Sequence, residues 1–465
     1  MSEQNLNSDQ VKKLSKVNKK QYTEGNILKQ LITNSIPMIF ALGFMLSFSL
    51  IDTYFVAKLG TKQLAAITFA FPIVFILTGV AMGLGNGASA VISKAVGMGD
   101  ERLVKRLTTD SIFIALVLVL LFSIFGTIFL DEIFILLKAS NDILPYIKSY
   151  MQIIFIGAVF LVIPLVGNSA TRAIGDTKTP SMIMFISVIV NIILDPIFLF
   201  GWGPIPSLGI AGAAWATVCT RIVTLSISIY ILHFRDNMLT FEIPTYDEFI
   251  SSAKSILQVG IPSVATNLIV PVGFGIIVGF VAKYGQDAVA GLGAASRIEI
   301  VTLAVFMAFS TVLGPFVGQN LGAQKLDRIR KAINYGHIFA ILWGILTSVL
   351  LYIFAEPIAR TFKDDDKIVA IMIMYLQIAP ISIGLRGITI NVTTTLNVLK
   401  KPLLASFLSI SQVFLIFIPL AYFLSNYTQF GLKGIFYASL LSSTVVSIIS
   451  YIILHKYIKV LTNED

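Results

Sequence analysis

The chain has 465 residues, of which 56% are hydrophobic and only 13% are charged. Soluble domains contain about 45–50% apolar and about 25% charged residues, so the composition excludes a soluble enzyme, a nucleic-acid-binding protein and a disordered scaffold. The net charge of +9 is typical of a membrane protein whose cytoplasmic loops are rich in lysine and arginine. A single cysteine, Cys219, excludes a disulfide framework, and the three histidines are too scattered to form a metal site.

Twelve apolar runs are long enough to cross a bilayer, which takes about 20 apolar residues in a helix. The first six lie at roughly 31–57, 64–93, 108–130, 144–170, 180–203 and 209–233. The second six lie at roughly 255–282, 288–318, 332–355, 369–395, 402–425 and 431–457. Each run must form a helix, because hydrocarbon offers no partner to free backbone groups. The sequence therefore predicts an all-α membrane protein with twelve transmembrane helices.

The polar stretches divide this pattern into two similar halves. Residues 1–30 form a polar, basic tail, and residues 234–254 are the most polar interior stretch. We therefore predict five segments along the chain. These are a cytoplasmic tail (1–30), a six-helix lobe (31–233), a cytoplasmic linker (234–254), a second six-helix lobe (255–457) and a C-terminal tail (458–465).

The two lobes are copies of one another. The motif VAKLG at 56–60 recurs as VAKYG at 281–285, an offset of 225 residues. This offset, which becomes 222 after a three-residue deletion, also aligns Pro37 with Pro262, Tyr150 with Tyr375, Pro180 with Pro402, and Gly209 with Gly431. Because each copy has an even number of helices, both enter the membrane in the same direction. The sequence thus predicts two pseudo-symmetric six-helix bundles around a central cavity, related by an axis along the membrane normal.

The distribution of basic residues predicts the orientation. If the N-terminus is cytoplasmic, the inner segments hold 22 of the 34 lysines and arginines and the outer loops hold nine. The remaining three, Arg221, Arg297 and Arg386, lie inside the spans. This excess predicts a multi-pass protein of the cell membrane with both termini in the cytoplasm.

Three carboxylates lie well inside the predicted spans: Asp52, Asp195 and Glu299. A carboxylate costs several kcal/mol in the membrane unless it is paired, solvated or protonated, so each is a candidate functional residue. Asn191 and Asp195 are four residues apart and share one helix face. Pro196 deprives a backbone carbonyl of its hydrogen bond at the same place. The resulting oxygen-rich pocket suits a proton or a hydrated hard cation such as Na⁺.

Polar side chains on three predicted helices lie at similar depths in the membrane, which indicates that they form one cluster. With a rise of about 1.5 Å per residue, Asp52 lies about 8 Å, and Asp195 and Thr217 about 12 Å, below the outer ends of their spans. The matching positions of the second copy are Ile277 for Asp52, Val413 for Asn191, Phe417 for Asp195 and Ser439 for Thr217. A structural requirement shared by both lobes would tend to keep the same residue types in both copies, so the difference favours a functional polar cluster in the first lobe. The alternative interpretation is that each of these polar groups bonds only to nearby backbone and has no function.

Glu299 has two arginines as candidate partners. Arg297 is only two positions away, which places it on a different face of the helix, so Arg386 on another span is the better partner. A structural ion pair is one interpretation of these residues. In the other, Glu299, Arg297 and Arg386 contact the substrate.

Several segments, in order, resemble the multidrug and toxic compound extrusion (MATE) family, and the likeness covers nearly the whole chain. The segments are SLIDTYFVAKLG at 49–60, GLGNGASAVISKAVGMGD at 83–100, RAIGDTKTP at 172–180, NIILDPIF at 191–198 and GIAGAAWAT at 209–217. The resemblance implies two six-helix lobes and export of organic cations by exchange with protons or sodium. It also implies a cation site in the first lobe at Asp52, Asn191, Asp195 and Thr217.

The chain departs from some members of the family in its seventh span. Residues 255–282 contain no acid, whereas some relatives use one there. The seventh span therefore lacks the acid for such a cation site, and Glu299 in the eighth span is the acid that could replace it.

The sequence thus predicts a secondary active multidrug exporter that exchanges lipophilic organic cations for protons or sodium. It needs no cofactor beyond the coupling ion and, as each repeat supplies half of the cavity, acts as a monomer. An alternative is a flippase or exporter of a lipid-linked or other amphipathic metabolite, although a pyrophosphate would require a more cationic cavity than three embedded arginines provide. An intramembrane enzyme is disfavoured because the loops are short.

Overall fold

The computed structural model describes residues 22–137, 139–362 and 365–462. Residues 1–21 of the predicted N-terminal tail and 463–465 of the C-terminal tail lie outside these ranges. Within the described residues, twelve helices are long and apolar enough to cross a membrane, as predicted. They are α1 Ile27–Ala57, α2 Thr61–Met98, α3 Glu101–Ile128, α4 Leu144–Ala173, α5 Lys178–Phe200, α6 Ile210–Arg235, α7 Tyr246–Ala282, α8 Gln286–Gly322, α9 Leu326–Ile353, α10 Asp366–Val398, α11 Pro402–Asn426 and α12 Leu432–Val460.

Some helices begin earlier than hydropathy indicates, because their first turns are polar. Helix α7 begins at Tyr246, so residues 246–254 of the predicted linker are helical. Thr245 and Glu248 form a capping box there: the Thr245 backbone N–H donates to Oε2 of Glu248 (3.0 Å), and the Glu248 N–H donates back to the threonine hydroxyl (3.3 Å). At the start of α1, Oδ1 of Asn26 accepts from the Lys29 backbone N–H at 3.0 Å. These caps supply the missing partners of the first-turn N–H groups.

The internal repeat is visible in the local structure. Short helices follow α3 and α9 at Leu130–Leu136 and Ala355–Phe362, starting 225 residues apart. The glycines that end the two VAK(L/Y)G motifs, Gly60 and Gly285, both have positive φ, +136° and +101°. A left-handed turn at these positions explains why glycine occurs in both copies.

The chain divides into two compact units. Among the described residues, unit 1 contains residues 36–264, and unit 2 contains residues 22–35 and 265–462. In unit 1, α4 is the central helix and packs against α2, α3 and α6. The approach of α4 to α6 depends on Gly157, where a Cβ atom would lie 2.2 Å from a methyl group of Val218. In unit 2, α10 has the same central position and packs against α8, α9 and α12.

Candidate cation site

The predicted polar residues of α5 form one buried pair in unit 1. Asn191 and Asp195 are 1% and 0% exposed, and Nδ2 of Asn191 donates a hydrogen bond to Oδ1 of Asp195 at 3.0 Å. Their spacing of one helical turn makes this contact possible. Pro196 is accommodated within the same helix. The amide thus holds the carboxylate in a fixed orientation beside it.

Asp52 on α1 belongs to the same cluster. It is 7% exposed, and its carboxylate lies within electrostatic range of Asp195. The structure therefore brings together two carboxylates from helices that are far apart in the chain. Two like charges in a low-dielectric environment repel each other strongly, so the pair favours the binding of a positive charge.

Three acceptor atoms of this cluster are unsatisfied. Oδ1 of Asp52, Oδ1 of Asn191 and Oδ2 of Asp195 are buried and have no hydrogen-bond partner in the described ranges. A buried acceptor without a donor costs about 1–3 kcal/mol, and more when it is charged. A proton or a small cation with oxygen ligands would relieve all or part of this cost. The two carboxylates and the amide oxygen are ligands that suit either a proton or a small hard cation.

The structure does not connect Thr217 to the other predicted site residues, Asp52, Asn191 and Asp195, by a hydrogen bond within the described ranges. It lies on α6 and is half-buried. The part of the predicted site that the structure brings together is therefore these three residues, and the role of Thr217 stays a prediction.

Two further residues, Tyr150 and Arg221, complete the cluster. Tyr150 on α4 is buried within electrostatic range of Asp52, Asp195 and Arg221. The sequence signal for Tyr150 is the repeat, which aligns it with Tyr375, the residue whose hydroxyl donates to Glu299. The sequence located Arg221 inside a span but assigned no partner to it. Only the packing of α6 places its charge beside Asp52.

Glu299 in unit 2 has a different environment. One carboxylate oxygen accepts from the Arg386 guanidinium, and the other accepts from the Tyr375 hydroxyl. Arg386 is the partner that the sequence favoured, while Arg297 is exposed on another face of α8. Both oxygens of Glu299 thus have donors, in contrast to the open acceptors of unit 1.

An ion-pair network fixes the loop that precedes α5. Asp176 accepts from the backbone N–H of Thr179 at 3.0 Å and from the Arg235 guanidinium at 2.7 Å. Burial would raise the pKa of Asp176, but the hydrogen bonds from Thr179 and the charge of Arg235 outweigh it and hold this pKa below its usual value. The network ties the start of α5 to the end of α6, the two helices that carry Asp195 and Arg221.

Comparisons with known proteins identify the family. A family model described as MatE matches the chain twice, over residues 37–197 and 262–423. The chain belongs to the MATE family of transporters. The two matches begin 225 residues apart, which is the offset of the internal repeat. The repeated halves of the MATE fold are therefore present in this chain.

Individual MATE relatives are similar over almost their full length. A protein described as a FAD transporter, from Shewanella oneidensis, is 35% identical over 90% of this chain and 93% of its own. The multidrug export protein MepA of Staphylococcus haemolyticus is 26% identical over 93% of this chain and 94% of its own. The crystal structure of the MATE transporter VcmN of Vibrio cholerae in the bent form has a TM-score of 0.88 and 27% identity, covering 94% of this chain and 98% of that one.

Proposed function

We propose that this MATE transporter exports an amphipathic organic compound in exchange for protons or sodium ions bound at Asp52, Asn191 and Asp195. The observation that carries the proposal is the set of three buried acceptor atoms in unit 1 without donors in the described ranges. Glu299, whose two oxygens both have donors, is the contrasting case in unit 2. An acid whose two oxygens both have donors has little need of an external cation, whereas Asp52 and Asp195 each keep one oxygen without a donor in the described ranges.

Coupling requires that the cation and the substrate prefer different states of the transporter. A ligand shifts a conformational equilibrium only by its difference in affinity for the two states, and such a coupling is reciprocal for binding. In our proposal, the carboxylates of Asp52 and Asp195 lose their cation on the cytoplasmic side and regain it from the outside. Each occupancy stabilises one of the two states. Thr217 would contribute a further oxygen on the same side of unit 1.

Lipophilic organic cations are the first candidate substrates. The relative MepA is named a multidrug export protein, and protein carboxylates would favour positively charged compounds. Of the three residues put forward for substrate contact, Glu299 and Arg386 neutralise each other, and only Arg297 presents an exposed charge. We therefore assign cation selectivity to unit 1. The excess of basic residues in the inner segments supports our placement of the protein in the cell membrane with cytoplasmic termini. We also propose that it acts as a monomer, because each repeat would supply half of the cavity.

A flavin dinucleotide is the second candidate substrate. The relative described as a FAD transporter shares 35% identity over 90% of the chain. Such a compound belongs to the class of amphipathic metabolites that the sequence left open.

Transport by the purified protein in liposomes tests the proposal. A pH gradient or a sodium gradient, imposed separately, is expected to drive uptake of ethidium or of FAD by the protein molecules whose cytoplasmic side faces the outside of the liposomes. Asp195→Asn, which keeps the shape of the side chain but removes its charge, is expected to reduce gradient-driven uptake at least 100-fold. If the variant retained the full rate, Asp195 would not be a coupling residue.

The matched control is Asp142→Asn, which makes the same chemical change at an exposed surface ion pair with Lys62. Such pairs contribute only about 0–1 kcal/mol, so this variant should transport at the normal rate. The preferred gradient identifies the coupling ion, and the preferred compound identifies the substrate class. Absence of uptake under either gradient with both compounds would reject the proposed function.

A further inference from the structure

Arg221 is a charged residue of unit 1 to which the proposed exchange assigns no role. It lies on α6, and the centre of its guanidinium is 4.6 Å from the ring centre of Phe48 on α1. Phe48 and Asp52 are one helical turn apart and therefore lie on the same face of α1. The guanidinium thus stacks one turn away from the carboxylate, whose charge interacts with it. Stacking on an aromatic ring stabilises an arginine in a desolvated position.

The hydrogen-bonding of the two groups is complementary. Nε of Arg221 is a buried donor and Oδ1 of Asp52 is a buried acceptor, and neither has a partner among the residues that the structure describes. A guanidinium cannot lose its proton in a protein, so Arg221 supplies a permanent positive charge. The charged or titratable groups that interact with Arg221 are Asp52 on α1 and Tyr150 on α4. Asp195 on α5 joins the same cluster through its interactions with Asp52 and Tyr150.

The charges of this cluster determine how many cations it can hold. Two ionised carboxylates and one guanidinium have a net charge of −1. A buried cluster is most stable when its charges balance, because uncompensated charge is expensive in a low-dielectric environment. One monovalent cation completes that balance, whereas a second would leave the cluster at +1.

We propose that Arg221 is an internal counter-cation to Asp52 that limits the coupling site to one monovalent cation per transport cycle. The inference rests on the proposed function, because it concerns the stoichiometry of the same site. It applies equally to a proton or to Na⁺, since both carry one positive charge. Arg221 itself acts through Asp52 and is therefore a positioning residue of the coupling site.

Removing this charge should change the number of bound cations. With Arg221→Gln the cluster has a net charge of −2 and accepts two cations. The first should bind about 10- to 100-fold more tightly, given the repulsion between unit charges about 6–10 Å apart at an effective dielectric constant of about 20. Arg221→Lys preserves the charge and should preserve the stoichiometry of one.

The first test measures charge movement in liposomes with ethidium, a monovalent cation, as the exported compound. Wild-type exchange of one cation for one ethidium moves no net charge, so clamping the membrane potential with valinomycin and K⁺ should not change its rate. Arg221→Gln should become sensitive to the potential, and Arg221→Lys should not. Arg360→Gln removes the same charge from an exposed surface ion pair with Glu356 and serves as the control, with no change expected.

The second test requires no transport. The dependence of the melting temperature on the logarithm of the cation concentration reports how many cations the folded protein binds. Because other titratable groups contribute to the slope when the cation is a proton, the variants are compared with the wild type. The slope for Arg221→Gln should exceed the wild-type slope by one cation, and the slope for Arg221→Lys should equal it. Equal slopes for wild type and Arg221→Gln would overturn the inference. If no gradient drives wild-type uptake, the proposed function fails, while these slopes still decide the role of Arg221.

Discussion

Asp195 and Glu299 are both buried membrane carboxylates, but their neighbours differ. Asp195 has one amide donor and one oxygen without a partner in the described ranges. Glu299 has a donor on each oxygen, from Arg386 and Tyr375. The difference arises from the partner helices, because α10 supplies Glu299 with both donors. A buried carboxylate is therefore the stronger candidate coupling residue when one of its oxygens is left without a donor.

The Glu299–Arg386 pair should be structural. Arg386→Met removes the cation and leaves a buried carboxylate, which we expect to cost about 3–5 kcal/mol in unfolding free energy. Adding Glu299→Gln to that variant removes the charge while keeping an acceptor for Tyr375, so most of the lost stability should return. Thermal unfolding of the two single variants and the double variant in detergent measures this cycle. Equal stability of wild type and Arg386→Met would show that the pair has no structural role.

At the scale of helices, both units use one central helix with tight glycine contacts. Helix α4 packs against α2, α3 and α6 in unit 1, and α10 packs against α8, α9 and α12 in unit 2. Gly157 of α4 lies against Val218 of α6, and Gly387 of α10 lies against Phe306 of α8. The same two central helices carry Tyr150 and Tyr375, each of which interacts with acids of its own unit. The repeat thus preserves the position of the tyrosine, while the acid beside it comes from different helices.

The ends of α2 and α8 are equivalent in the repeat, but only the end of α8 has a non-glycine residue in a left-handed conformation. Gly99 at the end of α2 has φ +76°, and Gln324, its counterpart at an offset of 225, has φ +57°. A left-handed conformation costs a non-glycine residue about 1–2 kcal/mol. Gln324→Gly should therefore raise the unfolding free energy by about 1 kcal/mol, after the entropy gained by the unfolded chain is subtracted. The measurement is the melting temperature of the purified variant.

The neighbouring residue provides the control for this substitution. Ala323 has φ −84°, which alanine adopts without strain, so Ala323→Gly should lower the stability by about 0.5–1 kcal/mol. If both substitutions changed the melting temperature in the same direction, relief of strain at Gln324 would not be the explanation.

At the scale of the whole molecule, the chain enters its first helix through unit 2. Residues 22–35 belong to unit 2, and α1 continues into unit 1 from residue 36. The Arg328 guanidinium holds the segment before α1, donating to the carbonyls of Tyr22 and Gly25 at 2.9 and 2.8 Å. Tyr22 is fully buried. The first helix is therefore covalently continuous between the two units, as is α7, in which the second division at residues 264–265 falls.

The orientation predicted from the basic residues can be tested with single cysteines. Because Cys219 is the only native cysteine, Cys219→Ser gives a background without thiols. In that background, Asp142→Cys in the exposed loop before α4 should react with an impermeant maleimide in intact cells. Glu242→Cys, in the exposed stretch before α7, should react only after the cells are permeabilised. The reverse pattern would place both termini outside the cytoplasm.

The sequence by itself determined the number of membrane-spanning helices, the internal repeat, and which acidic residues lie inside the spans. These properties depend on runs of apolar residues, on fixed offsets and on the high cost of a buried charge, all of which are local or periodic in the chain. The pairing of Asn191 with Asp195 also follows from spacing along one helix.

Only the tertiary structure decided that Arg221 lies beside Asp52, because these residues are 169 positions apart in the chain and no spacing rule pairs them. For Glu299 the sequence could only favour Arg386, 87 positions away, by eliminating Arg297 on the same helix, and the packed helices show the contact. Helix rotation and packing set such contacts, and small residues such as Gly157 control them through steric fit. For this reason the sequence identified the carboxylates of the candidate site, whereas the roles of Arg221 and Tyr150 emerged from the packed helices.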